Sequence, residues 1–334
     1  MSTISKVAER AGVSRTTVSH VINHADRVSQ PLRARVQAAI DELGYRPNPQ
    51  AQSLRTGRTN LIAMLIPDIR NPFYPELVKT AQSALEEVGL DTLVFNTDVP
   101  GGHSQEHGRD YLRQVQMKRV DGLIVGDFAL HGIHDALLRL EVPAVFIGHL
   151  PNHLVDSVKL DDFGGGRLLG AYLAAKGHTR IAHVTGPSVF AEAMARADGF
   201  EAGLAEAGVK PDPGLRFEGS YLPPSGREAA QWLMSLQGRQ RPTAVFFANY
   251  LMAMGALTEL HDQGVRVPDD IAVAVFDELP QLEYVRPRLT RVGKSPAVLA
   301  KRAAEMLLER ISGRYAGPPR TEVIACALQI FESA

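Results

Sequence analysis

Thr3-Ile4-Ser5-Lys6-Val7-Ala8-Glu9-Arg10-Ala11-Gly12-Val13-Ser14-Arg15-Thr16-Thr17-Val18-Ser19-His20-Val21-Ile22-Asn23 is the stretch that decides the N-terminal fold. Ile4, Val7, Ala8 and Ala11 recur at helical spacing and predict one buried stripe. Gly12 ends that helix, because a left-handed residue costs least without a Cβ. Ser14 is the expected N-cap of a second helix whose inward face is Val18, Val21 and Ile22. Ala8 is small where the two helices approach. Arg15, Thr16, Ser19 and His20 take the outward face, all able to hydrogen-bond. Two helices of an ordinary bundle would not need four such positions beside so tight a turn. A helix-turn-helix of this kind sets its second helix in the major groove of DNA.

Charge supports this reading by its distribution rather than its sum. The 334 residues carry a net charge of −1, yet residues 1–58 hold nine Lys/Arg against four Asp/Glu. A head of +5 on a body of −6 is the asymmetry expected when only the head meets phosphate. Hydrophobic residues make up 45% and charged residues 22%, which places the chain among ordinary globular proteins of two or three domains. The single cysteine, Cys326, excludes an intrachain disulfide and fits a reducing compartment. No apolar run reaches the ~18–20 residues of a membrane span and no apolar signal segment opens the chain. The expectation is a soluble, cytoplasmic protein without a membrane partner.

Ser29 and Pro31 open a third helix with Leu32, Val36, Ile40 and Leu43 inward, closed by Gly44. These three helices form a head at 1–46. Residues 47–60 follow as linker and hinge: Pro47 and Pro49 interrupt the chain, and Gln50 to Arg55 is a helix-compatible piece too short to stand alone. From 61 onward, apolar strand candidates alternate with helices. The strands are 61–66, 92–95, 122–125, 144–147, 181–185, 244–247 and 271–276. Helices are expected near 75–88, 104–117, 132–140, 163–176, 192–207, 225–236 and 250–262. Apolar strands each followed by a helix predict parallel sheets covered on both faces. The fold class is therefore an all-α head on an α/β two-lobed body, 61–334. Its lobes are expected at roughly 61–160 plus 293–320 and 161–292 plus 321–334. Ligands of such sheets sit outside the strand carboxyl ends.

Over its full length the sequence resembles the lactose-repressor/purine-repressor family of bacterial transcription regulators. Beside the opening motif, the likeness is carried by Glu42-Leu43-Gly44-Tyr45-Arg46-Pro47-Asn48, Ser53-Leu54-Arg55-Thr56-Gly57-Arg58-Thr59, Ile66-Pro67-Asp68 and Asn71-Pro72-Phe73-Tyr74. Arg119-Val120-Asp121-Gly122-Leu123-Ile124, Gly177-His178-Thr179-Arg180-Ile181-Ala182, Met252-Ala253-Met254-Gly255-Ala256-Leu257 and Val267-Pro268-Asp269-Asp270-Ile271 extend it. The resemblance implies a non-enzymatic homodimer without cofactor. Its heads read a pseudo-palindromic double-stranded operator, and its body, like periplasmic sugar-binding proteins, closes on a small effector.

Residue by residue, the resemblance places Arg15, Thr16 and His20 at base-reading positions, while Thr17 and Ser19 contact phosphate or pack. Leu54 matches the leucine that wedges into the minor groove and kinks the duplex, with Arg55 beside it at the DNA. Phe73, Tyr74, Asp127, Arg196, Tyr221, Asn249 and Asp277 match the effector pocket. Planar polar groups there pair with sugar hydroxyls, and aromatic faces meet the apolar side of the ring. Several residues depart from the pattern. Gln50 stands for an aliphatic residue of the hinge, and Tyr250 for the aspartate after Asn249. Arg291 replaces the second threonine of a pair. Phe190 and Glu192 occupy positions where purine-binding members carry Arg and Thr, which favours a sugar or sugar derivative as effector. The leucine-heptad tail of tetrameric members is absent, so a dimer is expected.

Two rival motifs carry less. His103-Ser104-Gln105-Glu106-His107 fits H-x-x-E-H, but no third metal ligand is assignable. Phe163-Gly164-Gly165-Gly166-Arg167 lacks the spacing of a phosphate-binding loop, so small-residue packing is its expected role.

Overall fold

The computed structural model describes residues 3–23, 27–46, 58–97, 112–113, 115, 120–126, 141–150, 154–236, 238 and 241–334. It divides into two compact units, Met1–Thr59 and Asn60–Ala334.

In the first unit, helices α1 (Ile4–Ala11), α2 (Arg15–Asn23) and α3 (Gln30–Leu43) enclose Val7, Val18 and Val36, all fully buried. The expected turn chemistry is present. Gly12 sits at φ 62, and the Val13 N–H donates to Ala8 O at 2.9 Å, satisfying a carbonyl at the end of α1. Ser14 Oγ accepts the Thr17 N–H at 3.0 Å and so caps α2. Gly44, at φ 55, closes α3 in the same left-handed way.

The second unit holds two six-stranded sheets. Lobe 1 contains β1 (Leu61–Ile66), β2 (Asp91–Asn96), β3 (Gly122–Gly126), β4 (Ala144–Ile147), β5 (Asp156–Leu160) and β11 (Thr321–Ile324), in the order β11-β5-β4-β3-β1-β2 and parallel throughout. Lobe 2 contains β6 (Ile181–Thr185), β7 (Arg216–Glu218), β8 (Ala244–Phe247), β9 (Ala272–Phe276), β10 (Thr290–Gly293) and β12 (Ala327–Gln329), in the order β12-β10-β9-β8-β6-β7. Only the β10–β12 pair of that sheet is antiparallel. Helices α4 (Phe73–Glu86) and α9 (Pro296–Ile311) cover lobe 1; α5 (Asp162–Ala175), α6 (Ala191–Glu206), α7 (Pro223–Ser235) and α8 (Tyr250–Asp262) cover lobe 2. The central strands are buried along their whole length, as the unbroken apolar runs require.

One expected boundary is corrected. The chain was expected to leave lobe 1 after residue 320, but β11 pairs with β5 there, Thr321 opposite Ser157 and Ile324 opposite Leu160. The crossing therefore falls between Ile324 and Ala327. Backbone pairing across more than a hundred residues decides this, and local sequence does not encode it. The expected helices at 104–117 and 132–140 lie outside the described residues, apart from Leu112, Arg113 and Val115, which are helical.

Glycine sets how closely α5 and α6 approach. A Cβ on Gly166 would collide with Arg196 O, one on Gly170 with Phe200 O, one on Gly199 with Phe163 O and one on Gly203 with Arg167 O. Two glycines from each helix thus bring backbone against backbone. The Gly164-Gly165-Gly166 run is packing, as expected, and Gly164 also gives its N–H to the capping carboxylate of Asp161 at 2.9 Å. Gly199→Ala should destabilise the body by about 1–3 kcal/mol, the usual cost of forcing atoms into a filled interface. An unchanged urea midpoint would contradict the packing.

His183 on β6 is buried between Phe246, stacked at 4.5 Å, and Phe200 at 4.9 Å. Its Nε2 has no hydrogen-bond partner among the described residues. Burial, with the charges of Arg216 and Arg196 adding, pushes its pKa down to about 3 from 6.5. The unfolded chain therefore binds a proton below 6.5 that the fold refuses. The stability His183 allows is complete above 6.5 and lost as pH falls toward 3, at about 1.4 kcal/mol per pH unit. His183→Phe should flatten the decline in urea midpoint between pH 6.5 and 4.5 relative to the parent; parallel declines would refute the assignment.

Candidate DNA-reading helix and effector cleft

On α2 the side chains of Arg15, Thr16 and His20 are exposed, while Thr17 and Ser19 are half-buried. Thr17 Oγ1 lies 2.9 Å from Ser14 Oγ, so this hydroxyl belongs to the cap of the helix. Leu54 and Arg55, and with them Gln50, lie outside the described residues, as do Asp127 and the His103–His107 motif.

In the body, a buried polar centre forms where α5, α6 and β9 meet. Arg196 of α6 donates from Nε to Asp162 Oδ1 at 2.8 Å and from Nη1 to Ala248 O at 2.6 Å. Its guanidinium carbon lies 3.8 Å from the centre of the Phe276 ring, so the planar fork is held flat on an aromatic face. Burial acts to raise the pKa of Asp162, but the charge of Arg196 and hydrogen bonds from His149 and Arg196 outweigh it and hold the carboxyl below its ordinary value. Nη2 of Arg196 makes no hydrogen bond among the described residues.

Asp277 follows β9 directly. Its Oδ2 accepts the Tyr250 N–H at 2.8 Å, which ties the carboxylate to the start of α8. Burial, aided by the charge of Asp162, pushes Asp277 up to about 6 against the lowering effects of Arg196 and that N–H.

Tyr221 lies beyond the end of β7. Its ring rests against Gly186, where any Cβ would collide with it, and stacks on Phe190 at 6.3 Å. Its hydroxyl donates to Glu192 Oε1 at 3.4 Å, and burial raises its pKa well above the ordinary phenol value.

Asn249 and Tyr74 are found in supporting positions. Asn249 is buried; its Oδ1 caps α8 by accepting the Met252 N–H at 3.0 Å, and its Nδ2 donates to Tyr221 O at 2.9 Å. Its side chain therefore holds the loop that carries Tyr221. Tyr74 is buried behind Phe73, the two rings edge to face at 5.3 Å, with Gly126 leaving room for it. Phe73 packs against the core of lobe 2 as well as its own and lines the junction between lobes.

Three non-glycine residues among those described have positive φ: Asn60 at 56°, Tyr221 at 65° and Asp277 at 130°. Two of the three are residues expected in the effector pocket. Such backbone costs on the order of 1–3 kcal/mol and collects where a side chain is aimed at a ligand. Asp162, His149 and Phe276 were not anticipated. The Asp161-Asp162 pair at a helix start is a local signal, but a cap needs only the first, and the second is positioned by tertiary contacts. Arg291, whose replacement of threonine had no evident role, donates from Nε to Gln329 Oε1 at 2.8 Å and from Nη2 to Glu283 Oε1 at 2.6 Å, binding β12 to β10.

A helix-turn-helix joined to a two-lobed body of this topology defines a ligand-binding DNA regulator. Residues 3–48 match the bacterial regulatory proteins of the lacI family, and residues 171–333 match the periplasmic binding protein-like domain. The HTH-type transcriptional repressor PurR of Vibrio atlanticus (strain LGP32) is 35% identical over 317 residues, 94% of this chain and 93% of that protein. The ribose operon repressor of Escherichia coli (strain K12) is 36% identical over 315 residues, 93% of this chain and 94% of that protein. A crystal structure of the lac repressor dimer bound to operator and the anti-inducer ONPF shares 27% identity with a TM-score of 0.87, covering 99% of this chain and 98% of that one. The chain belongs to the lacI family: it is a non-enzymatic transcriptional repressor that binds operator DNA as a homodimer and responds to a small effector. Among the described residues no helix is long and apolar enough to cross a membrane.

Proposed function

We propose that this repressor works in the cytoplasm and takes a sugar or sugar derivative in the cleft faced by Arg196, Asp277, Tyr221 and Phe73, with Asp127 completing the set. The observation that carries this is the pairing of a guanidinium held flat on Phe276 with a carboxylate on a strained turn at the end of β9. A planar donor fork and an acceptor with a free oxygen suit vicinal hydroxyls. Phe190 and Glu192, with Tyr221 between them, put an aromatic face and a further acceptor on the same side, where the resemblance places Arg and Thr in purine-binding members. The ribose operon repressor among the relatives agrees with this ligand class. A thermal-shift screen of neutral sugars, sugar phosphates and nucleobases tests it; stabilisation by a nucleobase and by no sugar would overturn it.

Asp277 gives the cleft a pH signature. A hydroxyl that donates to its carboxylate binds the charged form, so affinity should be constant above about pH 7 and fall as pH drops through 6. The expected limit is tenfold per pH unit. Asp277→Asn should remove this dependence and weaken binding at pH 7.5 by roughly 10–100-fold, the worth of a hydrogen bond to a charged group. Calorimetric titration with the sugar found in the screen provides the check, and an unchanged pH profile in the variant would exclude Asp277 from the site.

In the head, Arg15, Thr16 and His20 choose the operator bases, Thr17 and Ser19 contact phosphate or pack, and Leu54 and Arg55 engage the minor groove. Arg15→Ala should cost about 1–3 kcal/mol on a duplex selected from a random pool, while leaving binding to unrelated DNA near its original strength. Equal losses on both duplexes would make Arg15 a phosphate contact instead.

A further inference from the structure

The ion pairs that stiffen the body mostly close within a lobe. Arg310 grips Asp156 through two bonds, of 2.9 and 2.7 Å, inside lobe 1, and Arg227 reaches Asp262 at 2.9 Å inside lobe 2. The contact of His149 is of another kind. His149 stands in the loop after β4 of lobe 1, and its Nε2 lies 2.8 Å from Oδ2 of Asp162, the first residue of α5 in lobe 2. The other oxygen of the same carboxylate, Oδ1, accepts Arg196 Nε at 2.8 Å. Asp162 is 3% exposed, so neither oxygen has bulk water as an alternative partner. Breaking one side leaves a buried carboxylate half-paired, the arrangement that low-dielectric surroundings penalise most.

The histidine is not free to follow a moving aspartate. The preceding Gly148 donates its N–H to Val158 O at 2.9 Å and takes φ 131, which fixes the loop to β5 of lobe 1. Asp162 is equally fixed in lobe 2, because Gly166 and Gly199 lock α5 against α6. Each end of the pair thus reports the position of its own lobe.

We propose that Asp162 is a positioning residue that joins lobe angle to the cleft: it orients the Arg196 fork and, through His149, holds the two lobes at the angle found here. A rotation that withdraws lobe 1 takes His149 with it and changes the electrostatic field on the carboxylate that holds Arg196. A ligand that pulls on Arg196 acts on the same carboxylate from the other side. The cleft half of this inference rests on the reading that Arg196 faces the effector; the lobe-angle half does not.

The lobe angle is tested without ligand. Spin labels at Lys301→Cys on α9 of lobe 1 and Lys210→Cys in lobe 2, both exposed, report the inter-lobe distance by electron–electron dipolar spectroscopy. Labelled chain is mixed with excess unlabelled chain so that one protomer per dimer is read. Cys326 is half-buried with its thiol pushed up to about 12, chiefly by burial, and is protected from labelling. The parent and His149→Gln, which keeps an N–H donor for Asp162, should give one narrow distribution. His149→Ala and Asp162→Asn should add a second population at a different distance. His149→Ala leaves the Asp162–Arg196 pair intact, so it remains informative if Asp162→Asn fails to fold. A folded His149→Ala chain with the parent distribution would overturn the latch and leave the sugar reading untouched; absence of sugar binding with a broadened distribution would do the reverse.

Discussion

The contact on which the cleft depends is between two backbones. Helices α5 and α6 approach until Gly166 and Gly170 on one and Gly199 and Gly203 on the other exclude any side chain. That distance is not a detail of packing. It carries Asp162 to within 2.8 Å of Arg196, and so turns a buried carboxylate and a buried guanidinium into mutual partners. Separated by the width of one methyl group, each would lose its main charged partner in a buried setting, and breaking such a pair is strongly destabilising. Small residues here are the condition for having charge in the cleft at all.

With Asp162 neutralising Arg196, the orientation of the guanidinium is fixed. Phe276 supports the plane, Ala248 O takes one N–H, and Asp277 stands beside it on a turn of unfavourable φ. The apolar cluster under this centre is continuous between the sheets, from Ile62, Ile124 and Val158 to Phe246, Phe276 and Val292. The head obeys simpler rules: three helices, two left-handed glycines and a serine cap set an outward row of Arg15, Thr16 and His20.

Much of this was legible in the chain, because periodicity and turn chemistry are local. The glycine at 12, the cap at Ser14 and the strands at 61–66, 144–147, 181–185 and 244–247 are found where the sequence puts them. Strand β5 was missed because Lys159 breaks its apolar run, and β7, β10, β11 and β12 because Arg216, Glu218, Arg291, Glu322 and Gln329 leave none of them an unbroken apolar run. The lobe boundary near 320 was misplaced for a related reason, since the pairing of Thr321 with Ser157 belongs to the sheet and not to the segment. Arg196 and Asp277 could be singled out by resemblance, whereas His149 and Asp162 acquire meaning only from each other. Asn249, singled out in the same way, also caps α8 and holds Tyr221, roles that only the structure shows.

The central claim is that occupancy of the cleft is felt at the DNA. It is tested most directly by fluorescence anisotropy of the full-length dimer on its selected duplex, at fixed salt, with and without the sugar that stabilises the protein. The account predicts that the sugar changes operator affinity by 5–150-fold, the ordinary range of coupling at ~1–3 kcal/mol, and that operator changes sugar affinity by the same factor. Sugar binding that leaves operator affinity unchanged at saturation would contradict it.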